Sequence, residues 1–308
     1  MVDREAQRFT SGGEECAAWH YPTSNGAMVV MGVGLGVTKE VGTDRFAARF
    51  ARAGFGVLAF DYRHFGESDG SPRQVARIRD QLDDFRAAFA FARRLPGVDP
   101  DRVAIWGFSV AGGYVVRLAA ELDGLAAAIS QAGNVDGTRA AVASLPHWTP
   151  ASFARTNVRA MRDLVRASLG RPRLLVPLAG RRGEVAALTT PDAGRGSSAL
   201  NPDGRYEWRQ EVAAWSAMSV AFQRPIRRAK KVGVPMLVLA YDDDGVTTPG
   251  PAVRAARLAG AELVRLPGGH YEGYLGGHER AVEVQLDFLG RTLVGGARDV
   301  AERQSALR

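Results

Sequence analysis

The segment GFSVAGG, Gly107 to Gly113, decides how the rest of the chain is read. Before it stands the apolar run Val103-Ala104-Ile105-Trp106, and after it the helix-like Tyr114-Val115-Val116-Arg117-Leu118-Ala119-Ala120. A serine on so sharp a strand-to-helix turn needs neighbours without bulky side chains. Gly107, Ala111, Gly112 and Gly113 supply them. This is the context of a nucleophile elbow, G-x-S-x-G, with Ala111 at the second glycine position. The expectation is that Ser109 is a nucleophile; the alternative is a small residue filling a tight turn.

Working outward, apolar runs at residues 28–31, 56–60, 103–106, 126–129 and 236–240 have the length and continuity of strands buried on both faces. Helical spacing lies between them, as in residues 74–95, where Val75, Ile78, Leu82 and Phe85 recur every three or four positions. The alternation predicts an α/β fold, a mostly parallel twisted sheet flanked by helices. Ligands of such sheets sit at the carboxyl ends of the strands, so the chemistry is sought in the loops that follow them.

Residues 134–228 break the pattern. Helical pieces at 154–169 and 206–222 surround a Gly/Pro-rich stretch, residues 178–205, and the segment reads as a helical lid inserted into a core made of residues 1–133 and 229–308. It carries Trp148, Phe153, Trp208, Trp215 and Phe222. Most of these are expected to hold the lid to the body and one or two to touch a substrate, with Trp215 the chosen contact.

A serine hydroxyl is a weak nucleophile until a base takes its proton, and a carboxylate should orient that base. His270, in LPGGHYEGY after the strand-like residues 262–266, has the required place late in the chain. His20 lies near an N-terminal hairpin, His147 in the lid and His278 at a helix start. His64, in FDYRHFGESDG, follows the second buried strand, where it either braces its loop or contacts substrate. The acid is sought in LAYDDDGVTTP: three consecutive aspartates cannot all be ionised and buried cheaply. Asp244 is chosen because it lies past the strand end and just before a proline-led helix at Pro249. Asp242 is the runner-up, and Asp136 in QAGNVDG a third position. An oxyanion hole needs two backbone N–H groups. Val110, next to the serine, is one; Leu35, in the glycine-rich MGVGLGVTKE, is the other.

With these residues in view, nearly the whole chain resembles the serine α/β-hydrolase superfamily. The likeness rests on the loop Gly32-Val33-Gly34-Leu35-Gly36, on DYRHFGES, similar to the family's D-x-R-G-x-G-x-S, and on Ser109, Asp244 and His270. It looks most like bacterial members of the dienelactone-hydrolase and acyl-peptidase-like branches, with the lid between the sixth and seventh family strands. Two positions depart from the pattern: Val33-Gly34 stands where many relatives have His-Gly, and His64 where the loop often has glycine. The resemblance implies a serine hydrolase or acyl transferase acting on an ester, thioester or lactone of an apolar acyl substrate through an acyl-serine intermediate. Two alternatives stay open: a biosynthetic enzyme that forms or cleaves a carbon–carbon or lactone bond, and a non-catalytic ligand-binding protein.

Composition narrows the partners. The 308 residues, 46% hydrophobic, suffice for a full-sized core. The formal charge of +7 is spread along the chain without a nucleic-acid-reading motif, so a small molecule is expected and nucleic acid is not. The beginning, MVDREAQRFTSGGEE, lacks the apolar core of a signal peptide, and no run spans a bilayer, so a cytoplasmic protein without a membrane partner is expected. Cys16 is the single cysteine and reads as a core residue. There is no H-E-x-x-H or P-loop, and GVGLG lacks the full dinucleotide fingerprint, so neither cofactor nor metal is expected. A homodimer is compatible with a helical lid.

Overall fold

The computed structural model describes residues 3–295. Eight strands form one sheet: β1 (Glu5–Ser11), β2 (Glu14–Tyr21), β3 (Met28–Gly32), β4 (Gly56–Phe60), β5 (Val103–Phe108), β6 (Ala127–Gln131), β9 (Met236–Tyr241) and β10 (Glu262–Leu266), in the order β1-β2-β4-β3-β5-β6-β9-β10. β1 and β2 form an antiparallel hairpin, and β2 joins β4 antiparallel. The remaining pairings are parallel. Every residue of β3, β4, β5, β6 and β9 is buried, which is why those strands read as unbroken apolar runs.

Helices α1 (Lys39–Arg52), α2 (Ile78–Ala92), α3 (Val110–Leu118), α8 (Pro249–Ala259) and α9 (His278–Leu289) cover the sheet. α8 begins with proline at its first position, where the missing N–H costs nothing, and ends at Gly260 with φ 62°, the left-handed cap that favours glycine. Among the described residues, no helix is long and apolar enough to cross a membrane.

The insertion lies between β6 and β9. It contains α4 (Gly137–Ser144), α5 (Pro150–Ser168), α6 (Gly196–Leu200) and α7 (Ala214–Ser219), and a two-stranded antiparallel sheet of β7 (Leu175–Pro177) and β8 (Glu211–Ala213). The helix expected over 206–222 is therefore confined to its second half. Val212 is drawn into a strand facing Val176, both fully buried, and three residues are too few to show a strand pattern in the sequence. Asp163 of α5 is the hub of the insertion: it accepts Arg173 Nε and Nη2 and the backbone N–H groups of Leu174 and Trp215. Burial raises its pKa, but Arg173 and the two amides outweigh that and hold it below the ordinary carboxylate value.

Candidate active site

Ser109 sits at the carboxyl end of β5, at φ 59° and ψ −119°, a backbone conformation that side chains other than glycine rarely take. The turn is locked by hydrogen bonds from Ser109 N–H to Gln131 O and from Asn134 N–H to Ser109 O. The glycines permit it: a Cβ on Gly107 would lie 2.3 Å from Ala111 O, and one on Gly113 would lie 2.2 Å from Asn134 O. The strained turn lifts the serine hydroxyl out of the helix that follows.

The structure brings together the three residues expected at the centre. His270 Nε2 lies 3.0 Å from Ser109 Oγ, and its Nδ1 lies 2.8 Å from Asp244 Oδ2. All of Asp244's acceptor capacity is used. Oδ1 takes the N–H groups of Val246 and Thr247, and Oδ2 takes the Thr247 hydroxyl besides His270. Burial pushes the Asp244 carboxyl up, yet the facing His270 and the Thr247 bonds hold it below its ordinary value. An ionised carboxylate only accepts, so Nδ1 of His270 carries the proton and Nε2 is free to accept from Ser109. Asp242 is elsewhere: it is exposed and pairs with Arg265. Asp136 caps α4.

Leu35 and Val110 both line the cavity in front of Ser109. A Cβ on Gly34 would lie 3.7 Å from Ser109 Oγ, so the glycine loop passes directly over the serine. Val110 is the first residue of α3 and has no intrahelical acceptor. Among the described residues, neither its N–H nor that of Leu35 is taken up by another protein group.

The cavity has a volume of about 320 Å³ and is mainly apolar, walled by Phe108, Val37, Trp148, Phe153, Met218 and Phe222. Four polar atoms break that surface: Asn134 Oδ1, Thr156 Oγ1, Thr189 Oγ1 and Thr190 Oγ1 are buried without a protein partner, and all four residues line the cavity. Such atoms are satisfied by water or by a polar group of a bound molecule.

Two expected contacts lie outside that lining. His64 has φ 72° and is buried within its own loop, donating its N–H to Asp69 O and accepting from Gln74 N–H. It braces the loop. Trp215 packs against Phe222, and its N–H goes to Asp163, which leaves its neighbours Ala214, Ala217 and Met218 to face the cavity. One residue at the site escaped the sequence reading. Asp192, from the Gly/Pro-rich part of the insertion, accepts the backbone N–H groups of Gly245 and His270. No local pattern marks it, because its partners lie in loops that are remote in sequence.

Comparison with known proteins gives a consistent set. The profile of the serine aminopeptidase S33 family matches residues 26–272. The quorum-quenching protein AidA of Acinetobacter baumannii is 38% identical over 289 residues, covering 92% of this chain and 93% of its own. The polyketide transferase claH of Penicillium crustosum is 26% identical over 276 residues, with 83% and 85% covered. Among solved structures, the α/β hydrolase GrgF from Penicillium sp. sh18 superposes with a TM-score of 0.80 at 23% identity, covering 95% of this chain and 99% of that one.

Proposed function

The chain belongs to the serine aminopeptidase S33 family of α/β hydrolases, and from that premise we propose that it cleaves or transfers the acyl group of an ester, thioester or lactone through an acyl-Ser109 intermediate. The observation that carries this reading is the unbroken line of hydrogen bonds from Asp244 through His270 to Ser109, opening on an apolar cavity.

In the first half-reaction, Ser109 Oγ attacks the acyl carbonyl carbon while His270 Nε2 takes the hydroxyl proton. Asp244 stabilises the imidazolium that forms. The negative charge that develops on the carbonyl oxygen is met by the N–H groups of Leu35 and Val110. Collapse of this intermediate expels the alkoxide or thiolate, which receives the proton from His270, and leaves the acyl group on Ser109. In the second half-reaction, His270 deprotonates water or an acceptor hydroxyl, which attacks the ester and frees the serine. The cavity volume and its apolar walls suit a medium-sized apolar acyl group.

A second reading keeps the site and changes the acceptor. The polyketide transferase among the relatives supports a biosynthetic enzyme that passes its acyl group to a hydroxyl or carbon nucleophile, forming a lactone or carbon–carbon bond. Intact-protein mass after fluorophosphonate treatment tests what both readings share. A single adduct on the wild type, absent from Ser109→Ala and His270→Ala, is expected. A well-folded wild type that gains no mass overturns the acyl-enzyme reading. Steady acid release from simple esters then favours hydrolysis, and a labelled enzyme inert towards them favours transfer.

A further inference from the structure

Helix α1 follows directly on the loop that carries Leu35, and it begins without a cap from its own N-terminal residue: the Thr38 side chain makes no capping bond, and its hydroxyl is buried without a partner. The carboxylate of Asp61, just past the end of β4, stands in for it. Asp61 Oδ1 accepts the Lys39 N–H at 2.7 Å, and Oδ2 accepts the Glu67 N–H at 3.0 Å and the Lys39 ammonium at 2.9 Å. Both side chains are fully buried. Glu40 at 2.6 Å and Glu67 at 2.5 Å complete the surroundings of the ammonium, so Lys39 fills the space that three carboxylates enclose. The loop DYRHFGES is thereby fastened to the first residue of α1. One turn further on stands Gly42. Glycine weakens a helix relative to alanine, and no positive φ calls for it here. What calls for it is space: a Cβ on Gly42 would lie 2.5 Å from Val33 Cγ1 and 2.9 Å from Val37 Cγ1, the two buried valines that flank Leu35. The carbonyl of Gly42 accepts the hydroxyl of Tyr274, in the segment after His270, at 2.7 Å.

We propose that Lys39, Asp61 and Gly42 are positioning residues of the oxyanion hole: Asp61 fixes the start of α1 through Lys39, and the bare helix surface at Gly42 sets how closely the Leu35 N–H sits over Ser109. A backbone donor helps only if it is already aimed when the charge develops, and losing one donor from such a hole lowers kcat about 10²–10³-fold. Val110 is aimed by the helix it begins. Leu35 lies in a glycine-rich turn, closed by Val37 N–H on Gly34 O, whose direction is set by what its flanks pack on. Those flanks pack on α1 at Gly42, and α1 is held by Asp61. A buried ion pair adds little stability over an apolar pair of the same volume. What it adds here is register, because the ammonium meets Glu40, Asp61 and Glu67 together in one place. Gly42 also joins the two sides of the site, since the same residue touches the flanks of Leu35 and receives Tyr274. The proposal deepens the acyl-transfer reading and rests on it.

Hydrogen exchange on the whole chain, read by mass spectrometry, tests the fastening without any turnover. In Lys39→Met/Asp61→Asn, neutral side chains of similar size leave no lone buried charge. The amides of residues 34–39 are expected to exchange several-fold faster than in the wild type, and those of residues 107–113 at the same rate. On esters the double variant is expected to lose about 10²-fold in kcat with KM unchanged. A long-chain alkyl trifluoromethyl ketone, whose adduct with Ser109 places an oxyanion in the hole, is expected to bind more weakly by the same factor. A fluorescent long-chain fatty acid is expected to bind Ser109→Ala equally with and without the two substitutions. Gly42→Ala, which by itself favours the helix, is expected to show the same pattern in milder form, and adding Val33→Ala, which removes the nearest atom, to recover part of the loss. Exchange that stays slow in the double variant overturns the fastening. A loss of kcat accompanied by a raised KM or weakened fatty-acid binding overturns the positioning role, and full activity in Gly42→Ala overturns the part given to that residue. A wild type inert to every ester and to the ketone sinks the acyl-enzyme reading and the oxyanion role with it, while the exchange rates still decide whether Asp61 and Lys39 hold the loop.

Discussion

The carboxylate of Asp192, carried by the insertion, accepts the backbone N–H of His270 at 3.1 Å, and the same oxygen accepts that of Gly245 at 2.9 Å. One side chain of the insertion thus ties the loop that bears His270 to the loop that bears Asp244. Removing it frees both loops without touching the reacting atoms. Asp192→Ala is expected to lower kcat by up to about 10²-fold, the cost of an ångström-scale misplacement, with KM little changed. Asp192→Asn, which keeps an acceptor oxygen, is expected to recover most of the loss. Ester hydrolysis kinetics on the three proteins check this, and a change confined to KM would count against it.

Ser109, His270 and Asp244 act as one unit in the proposed reaction. Ser109→Ala and His270→Ala are each expected to reduce kcat by at least about 10⁴-fold, and the double variant by no more than the worse single one. Additive losses would mean that the two residues act separately.

Asp163 anchors Arg173, Leu174 and Trp215 inside the insertion. Asp163→Ala leaves the Arg173 guanidinium, only 7% exposed, without its counter-charge. The expected cost is about 3 kcal/mol, measured as an earlier denaturant midpoint. A variant as stable as the wild type would show that the insertion is held by its apolar contacts alone.

Histidines 20, 64 and 278 are buried, and burial lowers the pKa of each below the ordinary value of 6.5. At these three positions the unfolded chain binds more protons than the folded one between the lowered values and about 6.5; they outnumber Asp61, whose carboxyl burial raises to about 6 and which acts in the opposite sense, so stability rises with pH across that window. The melting temperature is expected to fall as pH drops from 7 towards 5, and to fall less in His278→Gln. Melting temperatures independent of pH across that range would contradict it.

The core was legible because its strands are buried on both faces and the candidate site stands at their ends. Each strand, once read, points to a loop, and Ser109, Asp244 and His270 follow from the loops after β5, β9 and β10. A loop's place does not give the direction of a side chain. His64 was placed near the site by the strand before it, but its positive φ turns it into its own loop. Trp215 was misjudged with the helix that carries it, which begins eight residues later than its apolar spacing suggested and so presents other residues to the cavity. Asp192 was invisible because its partners are backbone amides of two distant loops, which leave no periodic trace.

The insertion leaves the core after β6 and returns at β9, and these two strands are hydrogen-bonded neighbours, Ala128 paired with Met236 and Gln131 with Leu239. The sheet is thus continuous across the point of departure, yet the insertion is stitched to the body beyond it: Ala213 donates its N–H to Gln74 O, and Ala76 donates its N–H to Ser216 Oγ. An insertion exchanged for another between these adjoining ends has to remake those stitches and return a carboxylate to the position that Asp192 fills, because that carboxylate holds the N–H groups of Gly245 and His270.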